Sequence, residues 1–525
     1  MDKPYDVIII GGGHNGLTAA AYLAQAGRQV LVLERRAYLG GAAATEPIFP
    51  GFQVSSGAHD AGLFSEHIVA ELDLTAHGLA WLPNEVAVFA PQPDGRALTL
   101  FNDPRQSMAE IRRFNGRDAD QFPAFVAQMA QFKQLLQAAM QTPPPNLEKL
   151  GLADARAWLP IARQARGLKQ ALTTFLRLLP LSAADYLCEW FESEALKGVL
   201  GATAVIGNGY GPQAQGTMFN FLYQRLGADS GGFLSSRFVK GGVGALSAAL
   251  AAAAAAEGAE IRTDAAVSRI QVHDGRATGV VLANGDQIEG KIIVSNLDAR
   301  QTLFGLVGAA ELEPRAIRRL RAMRYRGVTA KLHLALAGLP EFTGAPGDPA
   351  YLGGHIVISP SLDYLERAAD AAKYGRYSTQ PLIDMVIPTV LDPTLAPSGQ
   401  HLLSATIQFA PYQLREGNWD DLREQFADQV VATIAAYVPN LPNLIQQRHI
   451  ITPLDWEREY GLTEGSIHQG EMGLDQLLHM RPIAGYANYQ TPIENLYLCG
   501  AAVHPGGGVS GRPGRLAAQA ILRRK

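Results

Sequence analysis

The chain has 525 residues, 47% of them hydrophobic and 18% charged, with a formal net charge of −4. That length exceeds one ordinary domain and predicts two or three large lobes around a sizeable core. With charge so nearly balanced and no Lys/Arg block, a nucleic-acid groove is not expected.

The chain opens on a strand, Tyr5 to Ile10, that runs into Gly11-Gly-Gly13-His14-Asn15-Gly16 and an alanine-rich helix; a second apolar run, Val30 to Leu33, ends at Glu34. In a dinucleotide site the spaced glycines serve a tight turn, backbone approach to the pyrophosphate, and packing of helix on strand. The helix N-terminus offers N–H groups to phosphate, and the carboxylate after the second strand accepts from a ribose hydroxyl. The motif predicts dinucleotide binding without choosing between FAD and NAD.

Between residues 78 and 235, Phe122 to Met140 and Leu168 to Leu181 show amphipathic helical patterns, and Pro143-Pro-Pro145 marks a loop or linker. The second pattern carries cationic residues on an apolar face, which suits core packing, a membrane surface or the roof of an apolar pocket. Gly241-Gly-Val-Gly244 then leads into an alanine-rich helix that runs through Ala256 and stops at Glu257-Gly258. Glu260 to Arg262, Val267 to Ile270 and Thr278 to Leu282 read as strands, with Asn284-Gly285 as a hairpin turn and Ile292 to Val294 as a return strand. This block extends the N-terminal sheet. Farther on, Val328 to Leu336, Leu382 to Val390 and His401 to Phe409 read as strands, and Gly417 to Tyr437 as a helix. At the C-terminus a strand, Asn495 to Gly500, meets the glycine-rich turn Val503 to Gly511 and a helix from Arg515 to Leu522. A glycine turn at a second helix N-terminus suits another electron-rich group, such as a reduced isoalloxazine ring.

Cys188 and Cys499 lie far apart in sequence and make neither a disulfide framework nor a metal cluster. No metal is expected, and a reducing, cytoplasmic setting is the natural fit. No secretory signal is read ahead of the first strand, and no stretch has the length and apolarity of a membrane span. Any membrane contact is expected to be peripheral.

Gly11 to Leu17, Glu34-Arg35-Arg36 with Gly40-Gly41, and the closing block resemble the phytoene-desaturase-like flavoproteins, most closely their pyridine nucleotide-disulfide oxidoreductase domain-containing branch. Further matching stretches are Ile387-Pro-Thr389, Asp392 to Pro397, Thr452 to Asp455, Asp475 to Leu477 with Arg481-Pro482, and Tyr489 to Pro492. The most specific match is Leu496 to Ala501 followed by His504 to Gly508. The resemblance covers nearly the whole chain. It implies an α/β fold: a Rossmann-like FAD-binding domain of the two-dinucleotide-binding-domain type, with an interleaved α+β substrate domain. The FAD domain falls in 1–77, 236–304 and 486–525, and the substrate domain in 78–235 and 305–485.

The family's FAD contacts fall on Gly11, Gly13 and Gly16, with His14 and Asn15 in the same turn, for the pyrophosphate. Glu34, beside Arg35, takes the adenosine ribose, and the Val267 backbone the adenine edge. Gly40 and Gly41 let backbone approach the cofactor, while Gly500, Gly508 and Val509 border the flavin. On this reading Gly11 to Gly16 is one end of an elongated site that Gly506 to Gly508 closes at the other. Where the family reads aromatic-His-Gly, this chain has His468-Gln469-Gly470, so that histidine's family role is not carried over.

Disulfide reduction needs two cysteines close together at the flavin, and neither Cys188 nor Cys499 has a near partner. Gly241 to Gly244 lacks the spacing of a second nucleotide motif, so a dedicated NAD(P)H domain is not expected. The expected reaction is hydride transfer between a small lipophilic, carotenoid- or polyene-like substrate and flavin N5, with oxygen, a quinone or another carrier as electron partner. Proton or cation handling falls to His504, then Arg481, Tyr486 and Tyr489. A flavin amine oxidase using Tyr486 and Tyr489 as an aromatic sandwich, and a non-catalytic FAD-containing protein, are the alternatives.

Overall fold

In the computed structural model of the protein, residues 4–145, 151–167, 169–227, 236–345 and 347–523 are described. Tyr5–Ile10 is buried from Val7 onward, and an apolar run without alternation is what a parallel strand covered on both faces requires. It pairs in parallel with Val30–Leu33 on one side and with the end of Gln287–Ser295 on the other. Glu260–Arg262 continues the sheet beyond Val30–Leu33, and Leu496–Leu498 pairs in parallel with Gln287–Ser295. Val267–His273 and Arg276–Leu282 add the expected antiparallel hairpin. Strands distant in sequence therefore meet in one sheet of seven.

Helices His14–Gln25, Gly244–Ala256 and Arg512–Arg523 pack together against this sheet. Small residues set their spacing. A Cβ at Gly514 would lie 2.1 Å from the Asn15 carbonyl oxygen, so the last helix meets the first at its opening turn.

A second sheet of seven runs Ile445–Ile451, Thr329–Leu336, His401–Gln408, Ile383–Val386, His355–Ile358, Val86–Pro91, Ala97–Phe101. One face, with Leu332, Leu334, Ile383, Met385 and Ile407, packs against Phe426, Val430 and Ile434 of helix Trp419–Ala435. The strand expected over Leu382 to Val390 ends at Val386, because Pro388 has no N–H to continue a ladder and starts a short turn instead.

Helices Gly116–Met140, Ala183–Trp190, Glu194–Val205 and Thr217–Tyr223 share a third apolar cluster. Helix Lys169–Leu178 joins it through Phe175 and Leu178 and leaves Leu176 57% exposed. Leu168, where that helical pattern was expected to begin, lies outside the described residues. Among the described residues, no helix is long and apolar enough to cross a membrane.

Candidate active site

The first glycine turn is braced from two sides. Gly40 donates its N–H to the Gly12 carbonyl at 2.8 Å, and Asn296 Nδ2 donates to the Gly11 carbonyl at 3.3 Å. A Cβ at Gly16 would lie 2.3 Å from the Gly11 oxygen, and one at Gly13 2.7 Å from Asn296 Nδ2. Glu34, buried, accepts from the Gly12 N–H at 2.7 Å and through its other oxygen from the Arg36 N–H at 2.9 Å. Each oxygen keeps a lone pair for a further donor. Helix His14–Gln25 starts at Gly13 with no side-chain cap and no acidic residue in its first turn. Its positive end is left for an anion. Asn15 Oδ1 and His14 Nε2 are buried without a hydrogen-bond partner among the described residues. A bare helix start, a backbone cradle closed to side chains and a buried carboxylate fit the pyrophosphate and ribose of a dinucleotide.

The closing turn reaches the same place. His14 lies against the backbone of Gly508, and burial lowers its pKa to about 4. The glycine motif therefore has Glu34 on one side and the closing turn on the other. Gln469 ties the pieces: its Nε2 donates to the Asn296 carbonyl at 3.2 Å and its Oε1 accepts from Ala502 N–H at 3.1 Å.

Beside these turns lies a cavity with a water-accessible volume of ≈ 280 Å³. The side nearest the two glycine turns is formed by His14, Ala42, Gly57, Ala58, Ala501, Gly508 and Val509. Val199, Ala202 and Ile206 of helix Glu194–Val205 and its C-terminal end, with Leu63, Val88 and Val357, make apolar walls. A polar wall comes from the second sheet, and Thr203, Gln224, Arg225 and Ser236 add polar groups elsewhere in the lining. Period-two alternation turns Lys331, Thr406, Asp384 and His355 to the face opposite the apolar core. Lys331 is in register with Thr406, and Thr406 with Asp384.

These groups form one network with the loop residues His59 and Asp60. Lys331 Nζ lies 2.8 Å from His59 Nδ1 and donates to Thr406 Oγ1 at 3.1 Å. The His355 imidazole spans two carboxylates, with Nδ1 2.8 Å from Asp384 and Nε2 2.8 Å from Asp60. Burial lowers the Lys331 ammonium to about 7 against the pull of Asp384 and Asp60. Burial also opposes charge on His355, yet Asp384 and Asp60 hold it up at about 10. Burial and the neighbouring Lys331 push His59 far below its usual range, so it stays neutral. A fixed imidazolium thus stands beside an amine whose charge changes near neutrality.

The expected catalytic trio is placed elsewhere. Arg481, 1% exposed, gives its guanidinium to the backbone carbonyls of Ala501, Glu471, Gln476, His468 and Gly470. It clamps loop to turn and has no face left toward the cavity. His504 is fully buried against the backbone of Ala139 and Thr142, and burial holds it at about 3. Tyr489 is packed into the core of the first sheet, its hydroxyl pushed well up by burial. None of the three lines the cavity. Each is fixed by what surrounds it: Arg481 by the carbonyls it binds, His504 by the Ala139 and Thr142 backbone, and Tyr489 by the apolar core. Arg35 also turns away, donating to the Glu459 carbonyl at 2.7 Å. Val267 opens the hairpin strand beside Ala265, whose N–H bonds the Glu34 carbonyl at 2.8 Å. Gly500 packs where a Cβ would meet the Asn296 carbonyl oxygen at 2.4 Å.

His59, Lys331, His355 and Asp384 were not expected. The signal was present as Lys331-Leu-His333 inside an apolar strand, a pattern that reads equally as a solvent-facing edge.

The family model for flavin-containing amine oxidoreductases matches residues 16–522. The chain belongs to that family, and it is an FAD-dependent oxidoreductase. It is 35% identical to rat "Pyridine nucleotide-disulfide oxidoreductase domain-containing protein 2", over 99% of this chain and 94% of that protein. It is 28% identical to one component of the limonene dehydrogenase of Castellaniella defragrans, over 99% of this chain and 95% of the relative. Identity to a lycopene-forming phytoene desaturase of a Paracoccus species is 26%, over 98% and 96% of the two chains. The word disulfide in the first name finds no counterpart here, since Cys188 and Cys499 are both free, one exposed and one buried.

Proposed function

We propose that the protein transfers hydride between a lipophilic, carotenoid- or polyene-like substrate and flavin N5, exchanging electrons with oxygen, a quinone or another carrier rather than through an NAD(P)H domain. The observation that carries this reading is the cavity, which opens beside both glycine turns and is walled by Val199, Ala202, Ile206 and Val357. Those side chains exclude water and orient an apolar chain. Two relatives are named for limonene and phytoene, both apolar molecules.

In this reading Gly11, Gly13, Gly16, His14 and Asn15 hold the pyrophosphate and Glu34 the ribose. The Val267 backbone meets the adenine, and Gly40, Gly41, Gly500, Gly508 and Val509 border the rest of the cofactor. Bound there, FAD supplies the two-electron acceptor or donor. The FAD lobe is 1–77, 236–304 and 486–525, the substrate lobe the remainder, in a cytoplasmic protein with at most peripheral membrane contact.

A polar amine suits the cavity less well. Asp60 and Asp384 already bind His355, and among the described lining residues Trp456 has no Phe or Tyr opposite it to form a sandwich. Mass spectrometry of an organic extract of the purified protein tests the choice. Recovery of a long apolar molecule that bleaches the bound flavin anaerobically is expected. An extract without lipid, together with bleaching by simple amines, would refute the proposal.

A further inference from the structure

Much of the cavity lining is apolar, Thr203, Gln224, Arg225 and Ser236 add polar groups to it, and its connected polar wall is where Lys331, Thr406, Asp384 and His355 on neighbouring strands meet His59 and Asp60. A pure hydrocarbon laid against that wall shields buried polar groups from water and returns no hydrogen bond. A protonated amine finds no carboxylate to itself, since Asp60 and Asp384 are both taken by His355. A hydroxyl adds no charge and both donates and accepts, which is what Lys331 Nζ and the imidazole of His59, 2.8 Å apart, can answer.

We propose that the substrate is a lipophilic alcohol whose hydroxyl sits on Lys331 and His59, and that it is oxidised to the carbonyl with Lys331 as proton acceptor. This inference rests on the cavity being the oxidoreductase site. In the step, the carbinol C–H bond breaks and its electron pair leaves with the hydrogen as hydride, for which FAD held at the glycine turns would be the acceptor. The O–H bond breaks and its proton goes to the neutral Lys331 amine. The electron pair left on oxygen forms the second carbon–oxygen bond. Lys331 is the catalytic residue, with a pKa of about 7 matched to a base working near neutrality. His59 and Thr406 are positioning residues that aim its Nζ. His355 is a positioning residue too, because it holds Asp60 and Asp384 and offsets their charge. The charged and titratable groups around Lys331 are His59 and Asp60 from the loop, Asp384 and His355 from the sheet, His333 on its own strand, and Arg225, which lines the same cavity.

Three probes with the same carbon skeleton, farnesene, farnesol and farnesylamine, are mixed anaerobically with the FAD-loaded protein and flavin bleaching is followed. Farnesol is expected to bleach it at least tenfold faster than either of the others. Lys331→Met is expected to slow farnesol bleaching roughly a hundredfold, within the range attributed to a positioned base, at unchanged FAD content. The wild-type rate rises with pH through one ionisation near neutrality. That ionisation vanishes in Lys331→Met and moves to higher pH in His355→Gln, where the carboxylates are no longer offset. With the flavin chemically reduced so that no turnover occurs, calorimetry is expected to read a roughly tenfold weaker farnesol affinity in Lys331→Met, the size of one lost hydrogen bond. Equal bleaching by farnesene or farnesylamine, or indifference of rate and affinity to Lys331→Met, would overturn the inference and leave the proposed function standing. Bleaching by none of the three would also overturn the inference, and the proposed function falls only if the organic extract fails to bleach the flavin as well.

Discussion

A methyl group at Gly16 would sit 2.3 Å from the Gly11 carbonyl oxygen, which is rigid backbone. Gly16→Ala is therefore expected to open the turn and weaken FAD retention by about 1–2 kcal/mol, roughly tenfold, read as flavin content after gel filtration. Arg481 calls for a different outcome. Its guanidinium is shared among five backbone carbonyls, and burial lowers it only to about 10, so it stays charged. Arg481→Met leaves buried acceptors unmet at about 1–3 kcal/mol each before relaxation. A fall in the thermal midpoint is expected, with no shift in the pH dependence of flavin reduction; a shifted profile at full stability would instead mark Arg481 as part of the chemistry. The glycines were legible in the sequence because their spacing is itself the constraint. Arg481, His504 and Tyr489 sit next to matched motifs, but adjacency in sequence says nothing of which way a side chain points.

At the scale of elements, the first sheet was legible strand by strand: continuous apolar runs, a hairpin turn at Asn284-Gly285 and a return strand all imply their neighbours. The second sheet was legible as strands and not as a site. In Thr329–Leu336 every residue is buried, so alternation of Lys331 and His333 with leucines marks two buried faces rather than one wet face. Only the helices covering the far side decide that, and they come from elsewhere in the chain. Helix Glu194–Val205 is one of them, and it approaches the sheet closely because of Gly198, where a Cβ would lie 2.3 Å from the Ser359 carbonyl oxygen. Gly198→Ala is expected to push the helix outward and cost about 1–3 kcal/mol, the usual range for overpacking. Urea unfolding checks the loss, and an unchanged midpoint would mean that the two backbones are not in contact.

For the whole molecule, the polar wall links stability to pH. Lys331 falls from its ordinary 10.5 to about 7 on folding, so between those values the unfolded chain holds a proton that the folded one lacks, and stability rises with pH. His355 rises from 6.5 to about 10, so its contribution is complete below 6.5 and is lost as pH climbs through 10. Across their common window the two slopes oppose each other. Lys331→Met removes one of them, and the variant is expected to lose stability relative to wild type as pH rises from about 7 to 10, by up to about 1.4 kcal/mol per pH unit. Denaturant midpoints across that range read the slope; parallel curves for variant and wild type would contradict the opposed charges.

The most direct measurement is anaerobic bleaching of bound flavin by the protein's own organic extract, in wild type and in Ala202→Trp. Ala202 lines the apolar wall away from the glycine turns, so tryptophan there fills the cavity and spares the FAD contacts. The expected result is a bleached flavin in wild type and an oxidised one in Ala202→Trp, at equal FAD content. Equal bleaching in both proteins, or bleaching by simple amines and not by the extract, would contradict the assignment of this cavity to a lipophilic substrate.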